Sequence, residues 1–208
     1  MIISQQAYAQ DRIITAFELR QFYETMVSQE EALLKLSRNE IRKPEAEQRA
    51  NEIASHLSND AILKVQYYAV HNQRLELVGN GKFTKKSYKD ALLKTYEDPR
   101  NVSMNVILDD IDLKGERAIV ISKFHNNYDM VLDGLDDMIT ASWHVKEAAK
   151  CTDKVQRTRD GGLEIQHSDC KSQIKITNLD VNVPEYLKQF NPQTSGYFLA
   201  PAINKQAY

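Results

Sequence analysis

Cys151 and Cys170 are the residues whose spacing speaks most directly of chemistry. Between them lies Arg159-Asp160-Gly161-Gly162, a strong hairpin turn signal. With Asp160-Gly161 as a two-residue loop, position 159 faces 162, and counting outward sets 151 opposite 170. The sulfurs then stand on adjacent strands, where a disulfide becomes geometrically conceivable. A different turn type would offset them by one residue and leave two separate thiols. The histidines offer less. His56, His71, His125 and His167 show no ligand spacing, so no metal site is expected. His144 lies in Ala141-Ser142-Trp143-His144-Val145, which reads as a strand. With Trp143 inward beside Ala141 and Val145, His144 faces outward with Ser142 and Lys146. Asp109-Asp110-Ile111-Asp112 and the group Asp133, Asp136 and Asp137 match no calcium-loop spacing and read as solvated charge. Gly79-Asn80-Gly81-Lys82 lacks Walker spacing and reads as a turn rather than a phosphate cradle. Lys82, Lys85, Lys86 and Lys89 make a local basic face, a solvated surface first and an anionic-partner site second.

The elements that must position these residues follow from periodicity. Thr15-Ala16-Phe17-Glu18 reads as a capping box, with Ile14 and Leu19 at the hydrophobic-staple positions. The helix that follows carries Leu19, Phe22, Tyr23, Met26, Val27, Leu33 and Leu34 on one face and runs to about Leu36. A second helix starts near Pro44, with the alanine-rich stripe Ala46, Ala50, Ile53, Ala54 and Leu57. The pattern changes to period two at Asn59-Asp60, giving a strand through Val70, and a second strand spans Arg74 to Val78. Gly79-Asn80-Gly81 is expected to break it. A third helix covers about Lys85 to Tyr96. Further strands are expected near Val102–Leu108, Ala118–His125, Met138–Cys151 and Leu163–Ile176, with Asn126 to Asp137 as a longer acidic connection.

A chain of 208 residues suits one well-filled core. Its net charge of -2 argues against a general phosphate-binding surface, and no nucleic-acid partner is expected, although a local basic patch stays open. Ala7-Tyr8-Ala9 has the small-x-small form that signal peptidase reads, with Gln10 as a plausible mature start. Residues 1–10 are thus read as the tail of a signal peptide. With the cysteine pair, this gives the expectation of a periplasmic or secreted protein. No apolar run reaches the roughly 18 residues of a membrane span. Residues 179–208 form an extension rich in proline and aromatic side chains, including Pro184, Tyr186, Phe190, Pro192, Tyr197 and Phe198.

The element order, together with Leu57-Ser58-Asn59-Asp60-Ala61-Ile62-Leu63 at the entry to the first strand and Gly81-Lys82-Phe83 before the third helix, resembles the nuclear transport factor 2-like superfamily. That group also holds ketosteroid isomerase and scytalone dehydratase. The resemblance covers roughly residues 15 to 178, so the domain is expected over 11–178. It implies an α+β fold with three N-terminal-half helices in the concave face of a curved, mainly antiparallel six-stranded sheet. It also implies a cone whose mouth often holds a ligand. The isomerase-like members place an aspartate base near the end of the first strand. Here that stretch reads Ile62-Leu63-Lys64-Val65-Gln66, with no acid. Tyr23 matches the family's helix tyrosine.

Two functions follow as expectations. The first is an exported binding or assembly module without catalysis or cofactor, with an unknown protein partner and a possible homodimer through the sheet face. The second is a carrier or cofactor-independent isomerase or dehydratase, with a small apolar ligand held by Tyr23, Tyr67 and Trp143. A filled cone favours the first, and an open apolar cavity with converging polar groups favours the second.

Overall fold

A computed structural model describes residues 13–36, 43–71, 74–95, 99–133 and 140–177. The expected signal-like segment 1–10 and the extension 179–208 lie outside the described residues, as do Asp136 and Asp137. Among the described residues three helices, α1 (Ala16–Leu34), α2 (Lys43–Ser55) and α3 (Lys85–Thr95), pack on a six-stranded sheet. The strands are β1 (Leu57–His71), β2 (Arg74–Thr84), β3 (Pro99–Lys114), β4 (Arg117–Asp133), β5 (Thr140–Arg157) and β6 (Leu163–Thr177). Their order across the sheet is β2-β1-β6-β5-β4-β3. All neighbours are antiparallel except β1 and β6, where the chain returns to lie parallel to its first strand. This is the expected α+β architecture.

The capping box that opens α1 forms as read. The Thr15 hydroxyl accepts from the Glu18 amide, and the Glu18 carboxylate accepts from the Thr15 amide at 2.9 Å. Ile14 and Leu19 are both fully buried beside it. Arg157 then ties this helix start to the β5–β6 hairpin. Its guanidinium donates to Glu18 at 2.7 Å, to the Ile13 carbonyl at 3.0 Å and to the Gly161 carbonyl at 2.7 Å. Burial opposes ionisation of Glu18, but the bonds from Arg157 and Thr15 outweigh it and hold its pKa below the usual carboxylate range.

Three expectations about the strands need correction. β2 does not end at Val78. It continues through Gly79-Asn80-Gly81 to Thr84, paired with β1, with one irregularity at Tyr67/Tyr68. The glycine at 81 answers a steric demand, because a Cβ there would stand 2.7 Å from Cε2 of Phe83 and 3.5 Å from Cε2 of Tyr67. β4 runs to Asp133, so the first part of the supposed acidic connection is strand. The β5–β6 turn is also wider than two residues. Arg157 pairs with Leu163, and the loop closes with Thr158 N–H to Gly162 O at 2.9 Å. That offset is undone by an irregularity at Lys154/Val155, after which Cys151 and Cys170 face each other as expected.

The two cysteines are bonded. Closing a loop of this size stabilises by about 3 kcal/mol in the chain-entropy account. The core between helices and sheet is rich in rings: Tyr23, Tyr67, Tyr88, Tyr128, Phe83 and Phe124 are all essentially buried. Gly81→Ala should therefore cost about 1–3 kcal/mol, as overpacking does, whereas Asn80→Ala at the exposed neighbouring position should change stability by less than about 0.5 kcal/mol. Urea midpoints of the two variants check this. Equal, near-zero effects would mean that Gly81 sits in an open turn.

Candidate functional site: carboxyl groups buried inside the cone

β5 points Val145, Glu147, Ala149, Cys151, Asp153 and Val155 inward in strict alternation. Two of these six are acids, and α1 adds a third, Glu30, one heptad beyond Tyr23 on the same buried stripe. Asp153 is the hub of the first cluster. Its Oδ2 accepts from the Tyr23 hydroxyl at 2.7 Å and from the Ser122 hydroxyl at 3.1 Å. Its Oδ1 accepts from the Ser168 hydroxyl. Burial pushes the Asp153 pKa up, and the three hydroxyls and nearby His167 only partly offset this. The disulfide lies against this hub, with Ser168 Oγ 3.5 Å from Cys170 Sγ. Ligand atoms of Cys151, Asp153 and Cys170 lie within 4.8 Å of one another. With the sulfurs bonded to each other, neither is available as a thiolate for a metal.

Glu147 and Glu30 form the second cluster. Glu147 accepts from Asn126 Nδ2 at 3.2 Å and from the Ser172 hydroxyl. Burial nevertheless lifts its pKa to about 8. Glu30 is fully buried, and among the described residues no hydrogen bond of normal geometry reaches either of its carboxyl oxygens. Burial raises its pKa well above the usual range and the neighbouring Glu147 raises it further, while the Tyr88 hydroxyl counteracts part of this. Both shifts favour the neutral carboxyl, the form that an apolar core tolerates.

Of the residues expected to line a ligand pocket, Tyr23 and Tyr67 are fully buried. The Tyr23 hydroxyl is committed to Asp153. Tyr67 lies on β1 with its ring over Gly81. Trp143 stands on β5 opposite Met130, and its side chain lies outside the described residues. His144 faces outward as expected, with Nδ1 2.8 Å from Asp129. Two open grooves lie elsewhere. One of about 510 Å³ runs between α1 and β3, along Val27, Glu31, Met104 and Val106, and another lies on the outer surface of α1. Sequence reading missed Glu30, Glu147 and Asp153. The signal was present, because each falls on the buried phase of its own element.

An α+β cone with a polar interior under its first helix defines the class. No protein-family model and no curated protein matches the sequence at a significant level. Solved structures match by shape. A candidate scytalone dehydratase from Novosphingobium aromaticivorans superposes with a TM-score of 0.50 at 13% identity, over 79% of this chain and 87% of that one. A conserved protein from Planctomyces limnophilus gives 0.48 at 10% identity, over 75% and 94%. A nuclear transport factor 2-like protein of unknown function from Silicibacter pomeroyi gives 0.34 at 11% identity, over 82% and 98%. The chain has the nuclear transport factor 2-like fold, and at such identities the likeness is one of fold.

The interior acids set a pH dependence. A carboxyl whose pKa is raised on folding binds its proton more tightly in the folded chain, so its contribution is greatest below its unfolded pKa of about 4.5 and is lost as pH rises towards about 8. His56, whose pKa is lowered by burial, works in the opposite direction, but only below about 6.5. Between pH 6.5 and 8, then, unfolding free energy should fall by about 1–3 kcal/mol, and Glu30→Gln should flatten that slope. Chemical denaturation across this range is the check, and a stability that rises with pH there would refute the assignment.

Proposed function

We propose that this chain is a non-catalytic binding or assembly module that works outside the cytoplasm. One observation carries the reading. Three hydroxyls that could converge on a ligand inside the cone, those of Tyr23, Ser122 and Ser168, converge instead on Asp153, which is itself shut off from solvent. A catalytic acid or oxyanion donor has to present a free lone pair or proton to a reacting atom. Asp153 uses its oxygens to hold α1, β4 and β6 together. The expected family base at the end of the first strand also has no acidic counterpart, since Ile62 to Gln66 contains none. The disulfide supports the location, because such bonds persist in oxidising compartments.

The second reading, a carrier or a cofactor-independent isomerase or dehydratase, draws on the likeness to the candidate scytalone dehydratase and on Glu30, whose buried carboxyl holds a proton it could donate. An apolar fluorescent dye, anilinonaphthalene sulfonate, separates the two. A filled cone gives no saturable binding to the native protein, and one-to-one binding displaced by a steroid-sized ligand would sink the module reading. Tyr23→Phe should lower stability by about 1–3 kcal/mol, the penalty for leaving a buried acceptor short of a donor. For location, intact mass of natively expressed protein without reductant should begin at Gln10 and be lighter by the two hydrogens of the Cys151–Cys170 bond. An unprocessed chain with free thiols would overturn it.

A further inference from the structure

The sheet face turned away from the helices carries an arrangement that folding does not favour. Lys123 on β4, Lys150 on β5 and Lys171 on β6 stand directly opposite one another across three neighbouring strands. Four residues further along, Lys146 faces Lys175, and at the other side of the sheet Lys64 faces Lys82. Like charges directly opposed on a sheet repel. Lys123 is half-buried and the other six are exposed.

The acids of this face neutralise the band only in part: Asp109 acts on both Lys123 and Lys150, and Asp169 stands opposite Lys64. Asp109 pairs with Lys123 at 2.9 Å, Asp112 with Lys114 at 2.8 Å, Asp129 with His144 at 2.8 Å and Asp169 with His167 at 3.1 Å. Among the described residues, no ion pair reaches Lys146, Lys150, Lys171 or Lys175. A chain of net charge -2 therefore keeps a concentrated positive band on one face. Beside it lie exposed apolar side chains on both edge strands. Leu75 and Leu77 on β2 are 55% and 43% exposed, and Ile107 on β3, opposite Lys123, is 50% exposed.

We infer that this face docks on an anionic phospholipid surface. The charge complement of a lysine band is phosphate, and each basic side chain near an anionic bilayer contributes about 1 kcal/mol. Lysine is a point charge on a long apolar stem, suited to headgroups, and the band holds no arginine forks of the kind that read planar acceptors. The flanking leucines and isoleucine favour a bilayer over a nucleic acid, because they can enter the headgroup layer and have nothing to contact on a phosphodiester backbone. The same lysines oppose a second copy of this face, since every basic row would meet its own charge. This inference is independent of what the cone holds.

Vesicle co-sedimentation tests it, using phosphatidylcholine with and without phosphatidylglycerol. The chain should partition onto the anionic vesicles only, and less so as salt is raised. The variant Lys146→Glu with Lys150→Glu should lower that partition by about tenfold or more. Its fold is protected by design, because each new carboxylate faces a lysine and replaces repulsion with attraction, so its melting temperature should hold or rise. Equal partition onto neutral vesicles, no partition onto anionic ones, or an unchanged double variant would each overturn the inference. So would a short DNA duplex that outcompetes the vesicles for the protein.

Discussion

Burying a carboxyl group is the constraint around which this core is organised. A lone acid in an apolar interior loses its hydration, and the loss is tolerable only if donors replace the water or the group keeps its proton. Asp153 takes the first course and recruits hydroxyls from α1, β4 and β6. Those bonds fix the height of α1 over the sheet and the mutual register of the three strands at one level. The disulfide lies at that same level and closes the β5–β6 hairpin covalently. Glu147 takes a mixed course, with two donors and a raised pKa, and Glu30 relies on its proton.

Much of the fold was legible because local signals agreed with the global arrangement. The capping box at Thr15, the staple of Ile14 and Leu19, and the alternation along β1 each needed only neighbouring residues. The cysteine pairing illustrates a different case. Counting outward from Asp160-Gly161 gave the right partners although the turn is wider than two residues, because a later irregularity restores the count. Two offsets that cancel cannot be seen in a turn motif. Gly79-Asn80-Gly81 misled for the opposite reason. Glycine there reads as a breaker, yet position 81 lacks a side chain because the rings of Phe83 and Tyr67 occupy the space, and no local pattern announces a neighbour two residues on and another across the sheet.

The interior acids were legible only in part. Glu147 and Asp153 share the inward phase of Val145, Cys151 and Val155, and Glu30 shares the stripe of Tyr23, so burial could have been read from spacing alone. The partners could not, because Ser168 and Ser172 come from β6, whose register on β5 includes an irregularity, and Ser122 from β4, joined to β5 by a connection whose length no turn motif fixes. The same holds for the outer face. Each lysine of β5 and β6 looks like ordinary solvated charge in sequence, and only the pairing register brings them into opposed rows.

Charge in this molecule is thus sorted by side. Glu30, Glu147 and Asp153 lie under the helices, where burial favours their neutral forms, and the lysines face outward among aspartates. Formal net charge counts Glu147 as an anion, although burial lifts its pKa to about 8. The sorting also separates the two roles a cone can take. Polar groups committed to one another stabilise a scaffold, whereas like charges opposed across neighbouring strands cost it stability.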